Sequence, residues 1–408
     1  MNKKLLAAAV AGLFAAPFAA WAQTAPPSGS VQIYGTLNTN FQTADRKGAT
    51  AAGTAGLASL AAAPTGLNAA SRNAISVDSS NLGFRGTENL GNGWKANFQI
   101  ETSANIDGDN QRPLANRNSK VGLAGDFGEV FFGNWDTPFK AATYGNMAQD
   151  PFRMTDVFGY QSIMSSPGFN QRSGAYSSGT DNASFDNRAA NTLNYWTRVY
   201  NGFSGRIAYS ANEGRTATRN PSLWSAVVNY NSGPLSLLYA YEQHRDAFGL
   251  TAMQATSTGT ASDDKAHRVG AGYLFGGTTV SAVWERLDFK NSGTVAGVTN
   301  FKRDAWQLGL LHRAGNHEFK LRYNKAQDGA CSRVAGNCST SGLGAQQWTL
   351  GYGYYFSKRT EGFVFHTRLN NDRSASYTFT VGGAPGVSSS AGVGSDPSAT
   401  GIGIRHTF

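Results

Sequence analysis

The chain lacks nearly everything a metal- or thiol-based chemistry would need. It has two cysteines in 408 residues, Cys331 and Cys338, too few for a disulfide framework. Both sit in a polar Gly/Ser/Asn segment, where a local clip fits an oxidising compartment. A zinc site would want a nearby His pair, and none is there. The six histidines (244, 267, 312, 317, 366 and 406) show no HExxH or paired-ligand spacing, and His366 and His406 read as interface aromatics. There is no G-x-S-x-G and no phosphate loop. Gly270-Ala-Gly-Tyr-Leu-Phe-Gly mimics part of a dinucleotide fingerprint but ends at a turn instead of opening a helix. No metal, no cofactor and no enzyme activity are therefore expected.

Long apolar runs are also missing. Only Leu5–Ala22 is continuously apolar; it follows Met-Asn-Lys-Lys and ends in Ala20 and Ala22, the pattern of a secretory signal peptide with Gln23 as the first mature residue. The alternative is an N-terminal anchor, against which the Ala-rich run and the following Ala25-Pro26-Pro27 argue. Beyond it nothing approaches the ~20 residues of a spanning helix, and the mean hydropathy is −0.35. The formal charge is +9, or +7 once Lys3 and Lys4 leave with the signal. The basic residues are scattered rather than clustered on one element, which excludes the usual nucleic-acid footprint. With 1–22 removed, 23–408 shows no linker or composition shift and reads as one domain.

What is there is alternation. Val31, Ile33 and Leu37 alternate with Gln32, Thr36 and Asn38; Trp94, Ala96, Phe98 and Ile100 alternate with Lys95, Asn97, Gln99 and Glu101. Segments 280–289 and 363–369 behave similarly, and no comparable stretch reads as an amphipathic helix. Short turns such as Asn89–Gly93, Asp126–Gly128 and Asn201-Gly202 alternate with longer Gly/Ala/Ser/Asn-rich connections at 42–72, 105–116, 136–187, 212–220, 244–265, 290–301, 327–345 and 370–399. The count is about sixteen strands, even in number, with short turns at one end and long loops at the other. That is the pattern of an all-β transmembrane antiparallel barrel with periplasmic turns and external loops. Aromatics near strand ends (Trp94, Trp196, Tyr230, Tyr239, Tyr241, Trp284, Trp306, Tyr352, Tyr354, Phe356) suggest interfacial girdles. A large soluble sandwich with ordinary core aromatics is the competing architecture. One connection, Asn134–Arg188, is far longer than structural needs explain and reads as functional.

The chain ends Gly401-Ile-Gly-Ile-Arg-His-Thr-Phe408, with Ile404, His406 and Phe408 on one face, resembling the assembly signal of outer-membrane proteins. Val31-Gln-Ile-Tyr-Gly35 resembles the first strand of general porins. Ser80–Gly93 resembles their next hairpin, and Lys120–Asn134 the hairpin that feeds the constriction loop. Together these motifs resemble the trimeric general porins, in particular the beta-proteobacterial branch, over essentially the whole mature chain. The resemblance implies a homotrimer in the outer membrane, in contact with lipid and lipopolysaccharide and delivered by the outer-membrane assembly machinery. It also implies a third loop, about 136–187, folded into the barrel to narrow a water-filled channel for small solutes and anions. Carried over by motif, the wall arginines fall on Arg117 and Arg188, and the loop acids on Asp136, Asp150 and Asp156, with Lys140 and Arg153 beside them. Two positions depart from the family: the basic residues usual on the first two strands are Thr36 and Asn81 here, with Arg85 a partial substitute on the same face. Strict alternation creates a conflict, because Arg117 shares parity with Val121; a bulge or a subunit-interface position would resolve it. Passive diffusion with mild anion preference is the function implied. A carboxylate-selective channel and an adhesive or structural surface barrel are the alternatives.

Overall fold

In the computed structural model the described residues are 30–108, 112–143, 162–169, 183–211, 213–247, 249–250, 261–292, 297–379 and 392–408. The proposed signal peptide, and Asp150, Arg153 and Asp156 of the long loop, lie outside them.

Eighteen strand segments form one antiparallel sheet closed on itself. They are β1 (Ser30–Lys47), β2 (Ala69–Ser76), β3 (Asn81–Gly91), β4 (Trp94–Ser103), β5 (Ser119–Gly125), β6 (Gly128–Asp136), β7 (Arg188–Trp196), β8 (Phe203–Ser210) and β9 (Ser222–Ser232). Then follow β10 (Leu235–Arg245), β11 (Asp263–Phe275), β12 (Thr278–Lys290), β13 (Val298–Ala314), β14 (His317–Ala326), β15 (Ala330–Arg333), β16 (Ala345–Ser357), β17 (Thr360–Asn371) and β18 (Asp396–Thr407). Two wall positions each hold two segments. β3 pairs the first half of β1 and β2 the second, and β14 and β15 likewise divide β13. The wall therefore has sixteen strands, as expected. Each interruption has a local cause. Ser79 takes a positive φ of 53° between β2 and β3, and Gly329 takes 78° between β14 and β15, where a Cβ would lie 2.2 Å from the Lys302 carbonyl.

The turns follow the residues. Asn201 (φ 47°) and Gly202 (φ 85°) supply two successive left-handed positions, as a tight hairpin needs. The ring closes where β18 pairs β1, and the last residue completes it: Phe408 N–H donates to Gly35 O (3.1 Å) and Gly35 N–H to Phe408 O (3.3 Å). A Cβ on Gly35 would lie 2.6 Å from the Phe408 ring, so this glycine provides the seat for it.

The barrel is inside-out relative to a soluble protein. Val31, Ile33, Val121, Phe132, Leu308, Leu350 and Ile402 are exposed outward, while Asn38, Asn194, Glu285, Asn324, Gln347 and Thr367 are buried on the other face. This division is what a lipid-facing exterior and a polar interior demand, and it accounts for the negative mean hydropathy. One girdle assignment fails. Trp196 faces inward, with the Arg206 guanidinium 4.3 Å and the Lys120 ammonium 5.0 Å from its ring.

External connections fold into the mouth. Cys331 and Cys338 are disulfide-bonded, with Cα atoms 5.7 Å apart. The segment beside them meets the first loop, Ser59 N–H donating to Ser339 O (2.7 Å), and the last loop, Ser374 Oγ donating to Ser341 O (2.9 Å).

Candidate pore constriction

Where β6 ends, Asp136-Thr-Pro turns the chain away from the wall. Thr137 Oγ1 accepts from Lys140 N–H (3.3 Å), and Pro138 opens the short helix α1 (Pro138–Thr143), a position where a missing N–H costs nothing. α1 lies against β8–β10, the wall strands that follow β7, and Phe139 N–H donates to Ser225 Oγ on β9 (2.9 Å).

The long loop is held there by a dry ionic anchor that alternation did not single out. Arg268 on β11, Glu285 on β12 and Arg303 on β13 are essentially unexposed. Glu285 Oε2 pairs with Arg268, and its Oε1 accepts from Ser165 N–H (2.8 Å) and faces Arg303 Nη2 (3.3 Å). Arg268 Nη1 donates to Phe139 O (3.1 Å) and Thr143 Oγ1 (2.8 Å), while Arg303 Nη2 donates to Ile163 O (2.7 Å) and to Ser166 O. The returning limb is tied by Asn187, whose Nδ2 donates to Glu242 Oε1 (3.3 Å), and by Phe185 stacked on His244 at 4.5 Å. The last external loop joins in. Ser376 N–H donates to Gly168 O (2.7 Å), and Tyr377 packs so closely on Gly168 that a Cβ there would lie 2.2 Å from its ring.

At the root of the loop, Asp136 and Arg188 are direct partners in the β6–β7 ladder. Arg188 Nη2 lies 3.1 Å from Asp136 Oδ1, and its Nε donates to Asn118 Oδ1 (2.8 Å). Asn118 Nδ2 returns a bond to Asp136 Oδ2 (2.9 Å), and Lys140 Nζ is 3.3 Å from Asp136 and 3.7 Å from Asp186. Arg117 belongs to a second group: its Nε donates to Glu101 Oε1 (2.7 Å), and Tyr34 Oη donates to Glu101 Oε2 (3.0 Å) across the bare backbone of Gly83. The parity conflict is resolved by irregular chain. β5 begins only at Ser119, after Ala115 at φ 63°, so Arg117 escapes the alternation that sends Val121 outward. Lys120 is inward, paired with Glu129 and under the rings of Phe131, Trp135 and Trp196.

Thr36 and Asn81 stand opposite one another in the β1–β3 ladder, so the two neutral departures make one neutral patch. Arg85 is on the same inward face, its Nε donating to Gln32 Oε1 (3.0 Å) and its guanidinium 4.9 Å over Tyr34. Lys95, on the inward face of β4, has no carboxylate within ion-pair distance among the described residues, and neither does Arg85.

Comparison with known proteins agrees with this architecture. The chain is 30% identical, over the whole of both sequences, to outer membrane porin protein 32 of Delftia acidovorans. It is 28% identical to major outer membrane protein P.IA of Neisseria meningitidis serogroup C, over 83% of this chain and 84% of that one. Among solved structures, the anion-selective porin from Comamonas acidovorans superposes with a TM-score of 0.69 at 24% identity, covering 93% of this chain and all of that one. The family model for Gram-negative porins matches residues 7–374. The chain thus belongs to the Gram-negative porin family, multi-pass β-barrels of the outer membrane.

Proposed function

We propose that this porin is a mildly anion-preferring, homotrimeric diffusion channel, with its sign of selectivity set mainly by Arg85 and Lys95. A porin supplies a wet path that spares hydrophilic solutes the hydrocarbon, and nothing in that mechanism requires a reacting group. The observation that carries the selectivity is the pattern of pairing. Arg117 is matched by Glu101, and Arg188 shares Asp136 with Lys140, so their fields are largely compensated at short range. Among the described residues Arg85 and Lys95 face the lumen without a carboxylate partner, and fixed charge of one sign along a pore wall enriches counter-ions. The 30% identical Delftia relative is a porin, and the Comamonas structure is described as anion-selective, which supports the same sign here. In the same reading residues 1–22 are a removed signal peptide, 136–187 the constriction loop, and Asp150 and Asp156 charges at its rim. Phe408, His406 and Ile404 form the strand that the assembly machinery reads.

The test is the reversal potential of single channels under a KCl gradient. Arg85→Gln/Lys95→Gln is expected to move the reversal toward zero, and Arg117→Gln to move it less. A double variant with unchanged reversal, alongside a collapse in Arg117→Gln, would return selectivity to the loop root.

A further inference from the structure

The disulfide ties the wall to the external loops at one point. Cys331 lies in β15 opposite Phe301 of β13, so its backbone is fixed to the barrel ladder. Cys338 follows six exposed residues, 332–337, whose chain reverses at Gly336 with a φ of 79°. Immediately after it the chain leaves the wall. Ser339 N–H donates to Ser59 Oγ (3.0 Å), and Thr340 Oγ1 donates to Gly329 O (2.8 Å). The Asp328 carboxylate accepts from the N–H groups of Gly342 (3.0 Å) and Gly344 (2.8 Å).

Three external connections meet over this segment, and one hydroxyl joins them. Ser374 Oγ in the last loop accepts from Ala58 N–H in the first loop (3.0 Å) while donating to Ser341 O (2.9 Å). Ser374 N–H adds a bond to Gly342 O (2.8 Å), and Arg373 Nη2 donates to Gly56 O (2.8 Å). Ala58, Leu60 and Leu343 are buried within this roof. Two residues beyond Ser374, the N–H of Ser376 reaches Gly168 O of the constriction loop. A continuous path thus runs from the wall through the disulfide, Ser339–Leu343 and Ser374 to Gly168. Its other links are hydrogen bonds, each of small net strength. With two cysteines in the chain, the disulfide is its one covalent cross-link.

We propose that Cys331–Cys338 is a redox clasp on the channel. Exchange with a small thiol in the external medium frees the segment that follows Cys338, loosens the roof and, through Gly168, unsteadies the constriction loop. The reduced channel therefore passes larger and noisier currents than the oxidised one. In the exchange a thiolate attacks one sulfur, the S–S bond breaks, and the other sulfur leaves as a thiolate and takes a proton. A second thiol releases the first as a disulfide, so two external thiols are oxidised as the two cysteines are reduced. Both cysteines are partly exposed and the intervening residues are fully so, which gives the attacking sulfur access. The bonds to Asp328 and Gly329 persist after reduction, so the segment loosens without unfolding.

The clasp rests on the diffusion-channel reading, which the current of untreated wild-type protein tests by itself. The experiment is a planar-bilayer recording of inserted wild-type channels before and after millimolar dithiothreitol, with free thiols counted by maleimide labelling and mass spectrometry. Reduction is expected to raise the current variance about tenfold or more, to the level of untreated Cys331→Ser/Cys338→Ser, and diamide to restore the quiet state. The double variant should not respond to either reagent. If it does not assemble, reduction of channels already inserted still decides. Ser374→Ala should be noisy with the disulfide intact and gain less from reduction than wild type, because both changes break the same path. Three results would overturn the clasp: a doubly labelled wild type whose current is unchanged, a native channel that takes up no label after dithiothreitol, or a response of Ser374→Ala as large as that of wild type. A silent untreated wild type would instead sink the channel reading, and the clasp with it.

Discussion

Removing the single negative charge of the loop anchor, Glu285→Gln, should release the constriction loop while sparing the barrel. Among the described residues Glu285 is the only carboxylate between Arg268 and Arg303, and all three are essentially unexposed. Glutamine keeps the volume and one acceptor oxygen, but turns an NH2 group toward a guanidinium and removes the carboxylate that the two buried cations share. Deleting one partner of a buried ion pair costs about 3–5 kcal/mol. At ~1.4 kcal/mol per decade this is a 10²- to 10⁴-fold fall in the docking equilibrium of 162–169. The wall ladders of β11–β13 do not involve these side chains, so the folded barrel should persist in heat-modifiability assays. The loss should appear as open-channel current noise in a planar bilayer and as faster proteolysis within the loop. Arg303→Gln added to Glu285→Gln removes one stranded cation, so the pair should be milder than the sum of its parts. A quiet Glu285→Gln channel with wild-type protease resistance would refute the anchoring role. A double variant worse than additive would refute the charge reasoning behind it.

Gly168→Val forces a branched side chain into the Tyr377 ring at a φ of 73°, so the last external loop should be displaced, with larger and noisier unitary currents. Gly35→Val removes the seat of the terminal ring and should slow assembly of folded barrel in a refolding assay, while Gly205→Val, where a Cβ would meet nothing closer than 3.6 Å, should be much milder. Burial, then the neighbouring Asp328 carboxylate, hold the Asp372 carboxyl above its usual range. A raised folded value favours the packed loop at low pH, and that contribution is lost as pH rises through it. Protease susceptibility of the last loop should therefore climb with pH above the ordinary carboxylate range in wild type, and lose that slope in Asp372→Asn.

Much of the architecture was legible because period-2 alternation reports directly on a wall with oil on one side and water on the other. Trp94–Glu101 is the clearest case, and the terminal Gly-Ile-Gly-Ile-Arg-His-Thr-Phe strand closes the ring where expected. The anchor was illegible because its residues sit in runs of adjacent charge, Glu285-Arg286 and Lys302-Arg303-Asp304. In such a run every parity offers a charged residue, and only register says which one enters the lumen. Arg117 was ambiguous because the chain breaks alternation just before β5, through backbone angles that composition does not announce. Trp196 misled for a related reason, since an aromatic near a strand end belongs equally to a girdle or to a cation inside. Tyr377 and Phe379, apolar residues in a polar connection, were the available sign that the last loop turns inward.

The docking of Phe408 onto Gly35 bears on how the molecule comes into being. Thr36 and Thr407, joined at 3.3 Å, are 371 residues apart in sequence, so the first strand waits for nearly the entire polypeptide before its free edge is covered. Until then the exposed edge of β1 is a template for any other strand, its own sisters included. A ribosome-stalled or C-terminally clipped product can build most of the meander yet never remove that edge. Phe408 thus works as the latch that decides whether the ring is shut.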